Sequence, residues 1–237
     1  MRTMIPKWIR NQVKSAKAKG CIVGISGGID SAVVAALCLK AMGGKNVLGL
    51  ILPCHSLKED INDAVLTAKV IGLQTKTINL TPLYDILLKI FPKGKKMAFA
   101  NIKPRLRMIA LYYFANMLNY LVVGTGNKSE LSVGYFTKYG DGGVDIMPIA
   151  GLYKNSVRNL AKTLGIPDKI ITKKPTAGLW PGQTDEGEMG ITYNELDAIL
   201  DSIYKGKMLK HQKTSKVMRM FKASAHKRAL PPIFTYP

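Results

Sequence analysis

Cys21-Ile22-Val23-Gly24-Ile25-Ser26-Gly27-Gly28-Ile29-Asp30-Ser31 is the stretch that decides the fold. Cys21 to Ile25 is short, apolar and rich in β-branched residues, the pattern of a strand buried on both faces. Ser26-Gly27-Gly28 turns the chain, and Asp30-Ser31 leads into Ala32-Val33-Val34-Ala35-Ala36-Leu37-Cys38-Leu39, an apolar helix. Strand, glycine turn and helix start, in that order, aim free backbone N–H groups and the positive end of the helix dipole at one point. The stretch therefore predicts an anion site. Gly27 and Gly28 let a phosphate approach the backbone, and Ser26 and Ser31 add hydroxyl donors. A Walker loop would place Lys and then Ser or Thr after its last glycine; here Ile29-Asp30 stand there. An Asp at that point repels a bare phosphate, so a bridging cation is expected. The plain alternative is an ordinary strand-to-helix turn capped by Asp30; the full SGGxDS string after a buried strand favours phosphate.

The string resembles the loop of the ATP pyrophosphatases, enzymes that split ATP between its α- and β-phosphates and leave AMP on a substrate. Composition narrows the field. The 237 residues suffice for one α/β domain with a large core. The chain carries 35 Lys+Arg against 15 Asp+Glu, a net +20, which calls for an anionic partner: a polyphosphate, RNA or an acidic surface. Cys21, Cys38 and Cys54 form no CxxC pair and no even framework, which fits a reducing cytoplasm. No apolar run spans a membrane, and the basic N-terminus lacks the apolar region and cleavage site of a signal peptide.

Outward from the loop, Met4 to Lys19 predicts a helix with Ile5, Trp8, Ile9, Val13 and Ala16 inward, ended by Gly20. Val47–Leu52 reads as a second strand and Glu59–Ile71 as a helix with Ile61, Ala64, Val65, Ala68 and Ile71 on one face. Thr75–Leu80 reads as a third strand. Alternation of strand and helix predicts a doubly wound parallel sheet with ligands at the strand carboxyl ends. Leu83–Ile90 is an apolar helix, and Pro92–Lys96 a basic loop. The helix opened by Asn101–Met108 is more apolar than one exposed helix needs, which predicts packing against the sheet and a second subunit. Tyr120–Gly124 is the fourth strand. Glu130 follows it on the same rim as Asp30, and two carboxylates there are the expected anchors for Mg²⁺; the alternative is a helix-start acid. The glycine-rich Gly134–Pro148 reads as a loop outside the core. Asp185, Glu186 and Glu188, the only dense acidic run, could bind metal, but capping and solvation are the favoured reading. After Asp201 nine Lys/Arg follow with no acid, and Met208, Leu209, Val217, Met218, Met220 and Phe221 suggest a helix there.

GISGGIDSA, NIKPRLRM, GTGNKSE, GYFTKYGDGGVDIMPI, LYK, KPTAGLWPGQTDE and the terminal HKR together resemble ammonia-dependent NAD synthetase over nearly the whole chain. The resemblance implies an adenine nucleotide alpha hydrolase-like, Rossmann-like fold with a mostly parallel sheet. It implies one domain over residues 1–237, with a nucleotide-binding core at about 20–180 and a basic C-terminal flap at about 202–237. It implies a homodimer that converts deamido-NAD to NAD with ATP, Mg²⁺ and ammonia through an acyl-adenylate. By matching motif, Gly24, Ile25, Ser26, Gly27, Gly28, Ile29, Asp30, Ser31, Thr125, Lys154 and Thr176 would contact ATP. Asp30 and Glu130 would hold the metal. Arg105, Lys138, Asp145, His226 and Lys227 would contact deamido-NAD. No side-chain nucleophile is implied; Lys154 and Asp30 stabilise charge. A tRNA-thiolating enzyme is the runner-up, but the reactive cysteine pair it uses is missing. A non-catalytic RNA-binding protein has no need of Asp30 and Glu130.

Overall fold

A computed structural model describes residues 1–180, 182–207 and 209–236. In chain order the elements are α1 (Met4–Ser15), β1 (Gly20–Gly24), α2 (Ile29–Met42), β2 (Val47–Ile51), α3 (Lys58–Ile71), β3 (Thr75–Thr77), α4 (Thr81–Ile90), α5 (Lys96–Ala100) and α6 (Ile102–Leu118). They continue through β4 (Tyr120–Val122), α7 (Lys128–Val133), α8 (Lys154–Thr163), α9 (Asp168–Thr172), α10 (Asp185–Met189), α11 (Tyr193–Tyr204) and α12 (Thr214–Ala223).

The four strands form one parallel sheet in the order β3-β2-β1-β4. β1 and β2 are the inner strands, apolar enough to be covered on both faces. Cys21, Val23 and Ile25 pack with Ile9, Val13, Leu37, Val157 and Ile170 on one face. Ile22 packs with Leu50, Tyr84, Leu106, Ala115 and Val122 on the other. Alternation along a single strand thus fills two cores, as the two-residue period requires. The chain runs outward through β2 and β3, then returns to β4 on the opposite side of β1. Strand order reverses between β1 and β4, and a crevice at such a switch point is where doubly wound sheets bind ligands. A third apolar cluster, built by Val133, Met189, Ile191, Tyr193, Leu196, Ile199, Leu200 and Val217, brings α7, α10, α11 and α12 beside that crevice.

Several expectations need correction. α1 stops at Ser15, and Lys17 takes the left-handed conformation instead of Gly20, which opens β1. A side chain at position 20 would meet the Asn46 carbonyl and the Tyr120 ring, so the glycine serves close packing. Trp8, Ala16 and Val65 are exposed. β3 is only Thr75–Thr77, an exposed edge, and β4 ends at Val122. The basic loop closes into α5 at Lys96. Gly134–Pro148 is not wholly outside the core: Ile146 is buried and makes an isolated parallel bridge with Val123, prolonging the sheet edge. In the tail the described residues form α-helix at Thr214–Ala223 and a short 3-10 turn at Ala225–Lys227, with Leu209 outside both; Met208, read as part of the helix, lies outside the described residues.

Candidate active site

The phosphate loop is bonded to itself. Ser26 N–H donates to Ser31 Oγ at 3.2 Å, Gly28 N–H to Ser26 Oγ at 3.3 Å, and Ser31 Oγ to the Gly28 carbonyl at 2.9 Å. Gly27 has φ +80°, open to glycine at little cost. Gly28 is the N-cap of α2, and no side chain caps that helix. Asp30, which the plain reading makes a cap, turns away instead. Its Oδ1 accepts from Asn127 Nδ2 at 2.9 Å, and its Oδ2 pairs with Lys154 Nζ. The N-terminal amides of α2 are therefore left without a side-chain acceptor, the arrangement that favours an anionic group.

Glu130 arrives from β4. Asn127 and Glu130 form a reciprocal capping box at the start of α7, so Glu130 is a helix-start acid as well as a site residue. Its Oε1 accepts from Lys154 Nζ at 3.0 Å and from Tyr193 Oη at 3.1 Å. Lys154, the first residue of α8, is buried and spans the two carboxylates, and its ring neighbour is Tyr193 at 4.8 Å. Behind it, the Lys154 amide donates to Ser129 Oγ at 3.0 Å, and the Ser129 hydroxyl donates to Asp197.

Two further groups enter here: Tyr193, which the sequence marks only as a helix start, and Asp185, for which capping and solvation are favoured over metal binding. Asp185 is buried, its Oδ2 3.0 Å from Tyr193 Oη, whose single proton it shares with Glu130, while its Oδ1 has no partner. It was read among the solvated acids, and that reading is corrected; Glu186 and Glu188 do bond locally, to the Tyr193 amide and to Tyr135 and Gln183. Three carboxyl groups, Asp185 buried and Asp30 and Glu130 half-buried, thus gather around one ammonium, which bonds the latter two. Burial, with the charges of Asp30 and Asp185, pushes Glu130 up to about 7 against the pull of Lys154. Burial likewise raises Asp185. Lys154 is driven the other way: burial opposes its charge, yet Asp30 and Glu130 outweigh burial and hold it protonated. The cluster is short of positive charge, and hard oxygen donors with that deficit suit a divalent cation that completes its shell with phosphate oxygens and water. Among the described residues no three His, Cys, Asp or Glu side chains stand at metal-ligand spacing, so the donor set fits an ion shared with phosphate rather than an all-protein cage.

The other predicted residues fall in two places. Arg105 donates to the Lys138 carbonyl at 3.4 Å, and Lys138 Nζ to the His226 carbonyl at 2.8 Å. Lys227 Nζ donates to the Gly134 and Phe136 carbonyls, both at 2.8 Å. These four residues form one connected group of bases with no carboxylate among their bonds. Asp145 is not bonded to them; it caps β4, accepting from the Val122 amide at 2.7 Å and Tyr112 Oη at 2.9 Å. Thr125 lies past the end of β4, half-buried. Thr176 is exposed and accepts from the Gly178 amide at 3.1 Å, with no bond to the phosphate loop.

Known proteins are similar to this chain over nearly its whole length. The NAD synthase family model covers residues 2–231. An NH(3)-dependent NAD(+) synthetase of Finegoldia magna is 51% identical over 98% of this chain and 94% of its own. The corresponding protein of Archaeoglobus fulgidus is 50% identical over 95% of this chain and 92% of its own. A solved structure of NMN synthetase from Francisella tularensis superposes with a TM-score of 0.91, at 37% identity, over 99% of this chain and 97% of that one. With its phosphate loop, paired carboxylates and full-length match, the chain belongs to the NAD synthase family.

Proposed function

We infer that this protein is a carbon–nitrogen ligase that amidates deamido-NAD to NAD with ammonia, consuming ATP. The observation that carries the reading is the switch-point crevice, where an uncapped helix N-terminus meets Asp30, Glu130 and Lys154. The nicotinate carboxylate attacks the α-phosphorus of ATP; the bond to the bridging oxygen breaks and pyrophosphate leaves. Ammonia then attacks the acyl-adenylate carbonyl, expelling AMP and losing a proton. The free amides at the start of α2 donate to phosphate oxygens, and the buried Lys154 ammonium offsets charge that builds on the departing group. No side chain needs to form a covalent bond. Asp30 and Glu130 would hold Mg²⁺, which supplies electrophilic charge to the phosphates. Arg105, Lys138, His226 and Lys227, free of carboxylate partners, suit the dinucleotide's pyrophosphate, with Asp145 at the end of β4 for a hydroxyl. Thr125 and Thr176 complete the ATP contacts.

The chain acts as one unit over residues 1–237, with a nucleotide core at about 20–180 and a basic flap at about 202–237. Ile109, Tyr113 and Met117 are exposed in one row of α6, beside exposed Leu83, Ile86 and Ile90 of α4. This apolar face supports a homodimer. Three buried free cysteines support a reducing cytoplasm, and no described helix is long and apolar enough to cross a membrane. Buried Cys54, whose thiol burial pushes up, offers no nucleophile for releasing ammonia from glutamine. The likeness to NMN synthetase favours a second reading, in which the acceptor is the mononucleotide. ATP–pyrophosphate exchange tests both. Exchange that requires deamido-NAD supports the first reading, exchange with the mononucleotide alone the second, and exchange with neither overturns both.

A further inference from the structure

Beside the carboxylate cluster lies another buried charge group, which the reaction above does not use. Asp63 of α3 is wholly buried. Its Oδ2 accepts from Lys173 Nζ at 2.5 Å, and the same ammonium donates to Asp60 Oδ1 at 2.7 Å. Lys169 Nζ stands 2.7 Å from the other oxygen, an ion pair outside hydrogen-bond alignment. This turn of α3 is the floor of the phosphate loop. A Cβ on Gly27 would overlap the Asp60 carbonyl and come within 3.1 Å of Asp63 Cβ. Lys173, in turn, follows directly on α9 and opens the irregular segment that carries Thr176.

One carboxylate therefore touches the support of the phosphate loop and the root of the Thr176 segment at once. Fold stability alone is a poor reason to keep such a group, since apolar packing of equal volume commonly serves as well as a buried ion pair. What an ion pair adds is a defined register between two elements. Burial works against Asp63's charge, but the Lys169 and Lys173 ammoniums outweigh it and hold the carboxyl below its usual range. We propose that Asp63 is a positioning residue for ATP, fixing the Thr176 segment against the phosphate loop through Lys173. The proposal rests on the ATP-site reading above.

The test uses the full-length enzyme and steady-state turnover with both substrates varied. Asp63→Asn and Lys173→Gln should each raise KM for ATP about tenfold or more while leaving KM for the dinucleotide within about twofold. The double variant should be no worse than the weaker single one. Lys169→Gln removes an ion pair to the same carboxylate but from α9, so it should leave KM for ATP unchanged. Where Asp63→Asn does not fold, Lys173→Gln against Lys169→Gln decides alone. Equal loss in both lysine variants, an equal rise in both KM values, or additive effects would overturn the proposal. Wild-type enzyme without ATP–pyrophosphate exchange would overturn the ATP reading itself; normal exchange with an unshifted Lys173→Gln overturns only the role of Asp63.

Discussion

Lys154, proposed for ATP, and Lys227, proposed for deamido-NAD, are held by the fold in opposite ways. Lys154 is buried between Asp30 and Glu130, and its charge is balanced inside the protein. Among the described residues the Lys227 ammonium hydrogen-bonds to the carbonyls of Gly134 and Phe136, and burial pushes it down. The first sits on α8, against the sheet core. The second sits on the turn after α12, joined to the body by side-chain bonds to carbonyls; Arg228 repeats the pattern with the Leu131 and Ser132 carbonyls. The difference teaches that Lys154 is fixed by carboxylates of the protein, whereas Lys227 and Arg228 at the end of the tail are held by carbonyls, with no carboxylate among their bonds.

The strongest way to break the comparison is to empty the centre. Asp30→Ala or Glu130→Ala should lower ATP–pyrophosphate exchange on the order of a thousandfold, the scale of losing a preorganised electrostatic contact at developing charge. Thermal unfolding should still be cooperative. Exchange within tenfold of wild type would show that these carboxylates hold no catalytic ion.

Much of that centre could be read from the sequence, and the part that could not has a physical cause. The β1–α2 stretch announces itself because a buried strand, a glycine turn and an apolar helix are local patterns. Glu130 is legible because it lies in the polar segment after a strand, on the rim of the phosphate loop. Tyr193 is not, and Asp185 reads first as a capping or solvated acid. They enter only when the α7, α10, α11 and α12 cluster folds Met189, Ile191 and Leu196 against Val133 and carries them to the crevice. An acid in a dense acidic run looks solvated until tertiary packing buries it. Ile146 was hidden for the same reason: its pairing with Val123 is a contact across a glycine-rich stretch with no strand pattern. The α1 end at Ser15 shows the limit of turn chemistry, since Gly20 was needed for close packing and not for a cap.

A weaker intervention acts on the other lysine. Lys227→Ala should raise KM for deamido-NAD about tenfold, the scale of one charge-assisted contact, with kcat within about threefold. In the same enzyme, protease nicking between Lys205 and Lys222 should fall when ATP and deamido-NAD are both present, because a flap that closes over substrates shields its own backbone. Nicking that ignores both ligands would place the tail outside the catalytic cycle. Tyr113→Glu on the exposed row of α6 should split a dimer into single chains by light scattering; a wild-type mass of one chain at full activity would refute the pairing.

The smallest effect separates the two regions by pH. The tail is tied to α11 by Glu195, whose carboxylate accepts from Lys213 Nζ at 3.0 and 2.9 Å, with His211 Nε2 at 3.6 Å. The Lys213 hydrogen bond first, and bonds from Thr192 after it, hold the Glu195 carboxyl down to about 2 from an ordinary 4.5. A carboxyl that is more acidic folded than unfolded adds stability above its unfolded value and loses it as pH falls toward the folded one. The contribution is therefore complete at neutral pH and declines between about 4.5 and about 2. A solvent-facing pair contributes little, so paired melts of wild type and Glu195→Gln are needed. Wild type should be the more stable at pH 6, and the gap should close as pH drops from 4.5 toward 3. Because Glu195 also forms the capping box with Thr192, Lys213→Gln is the companion variant: it removes the ion pair and leaves the cap. If Lys213→Gln keeps the whole pH-dependent gap, the cap alone accounts for it, and the tie between α11 and the tail contributes nothing.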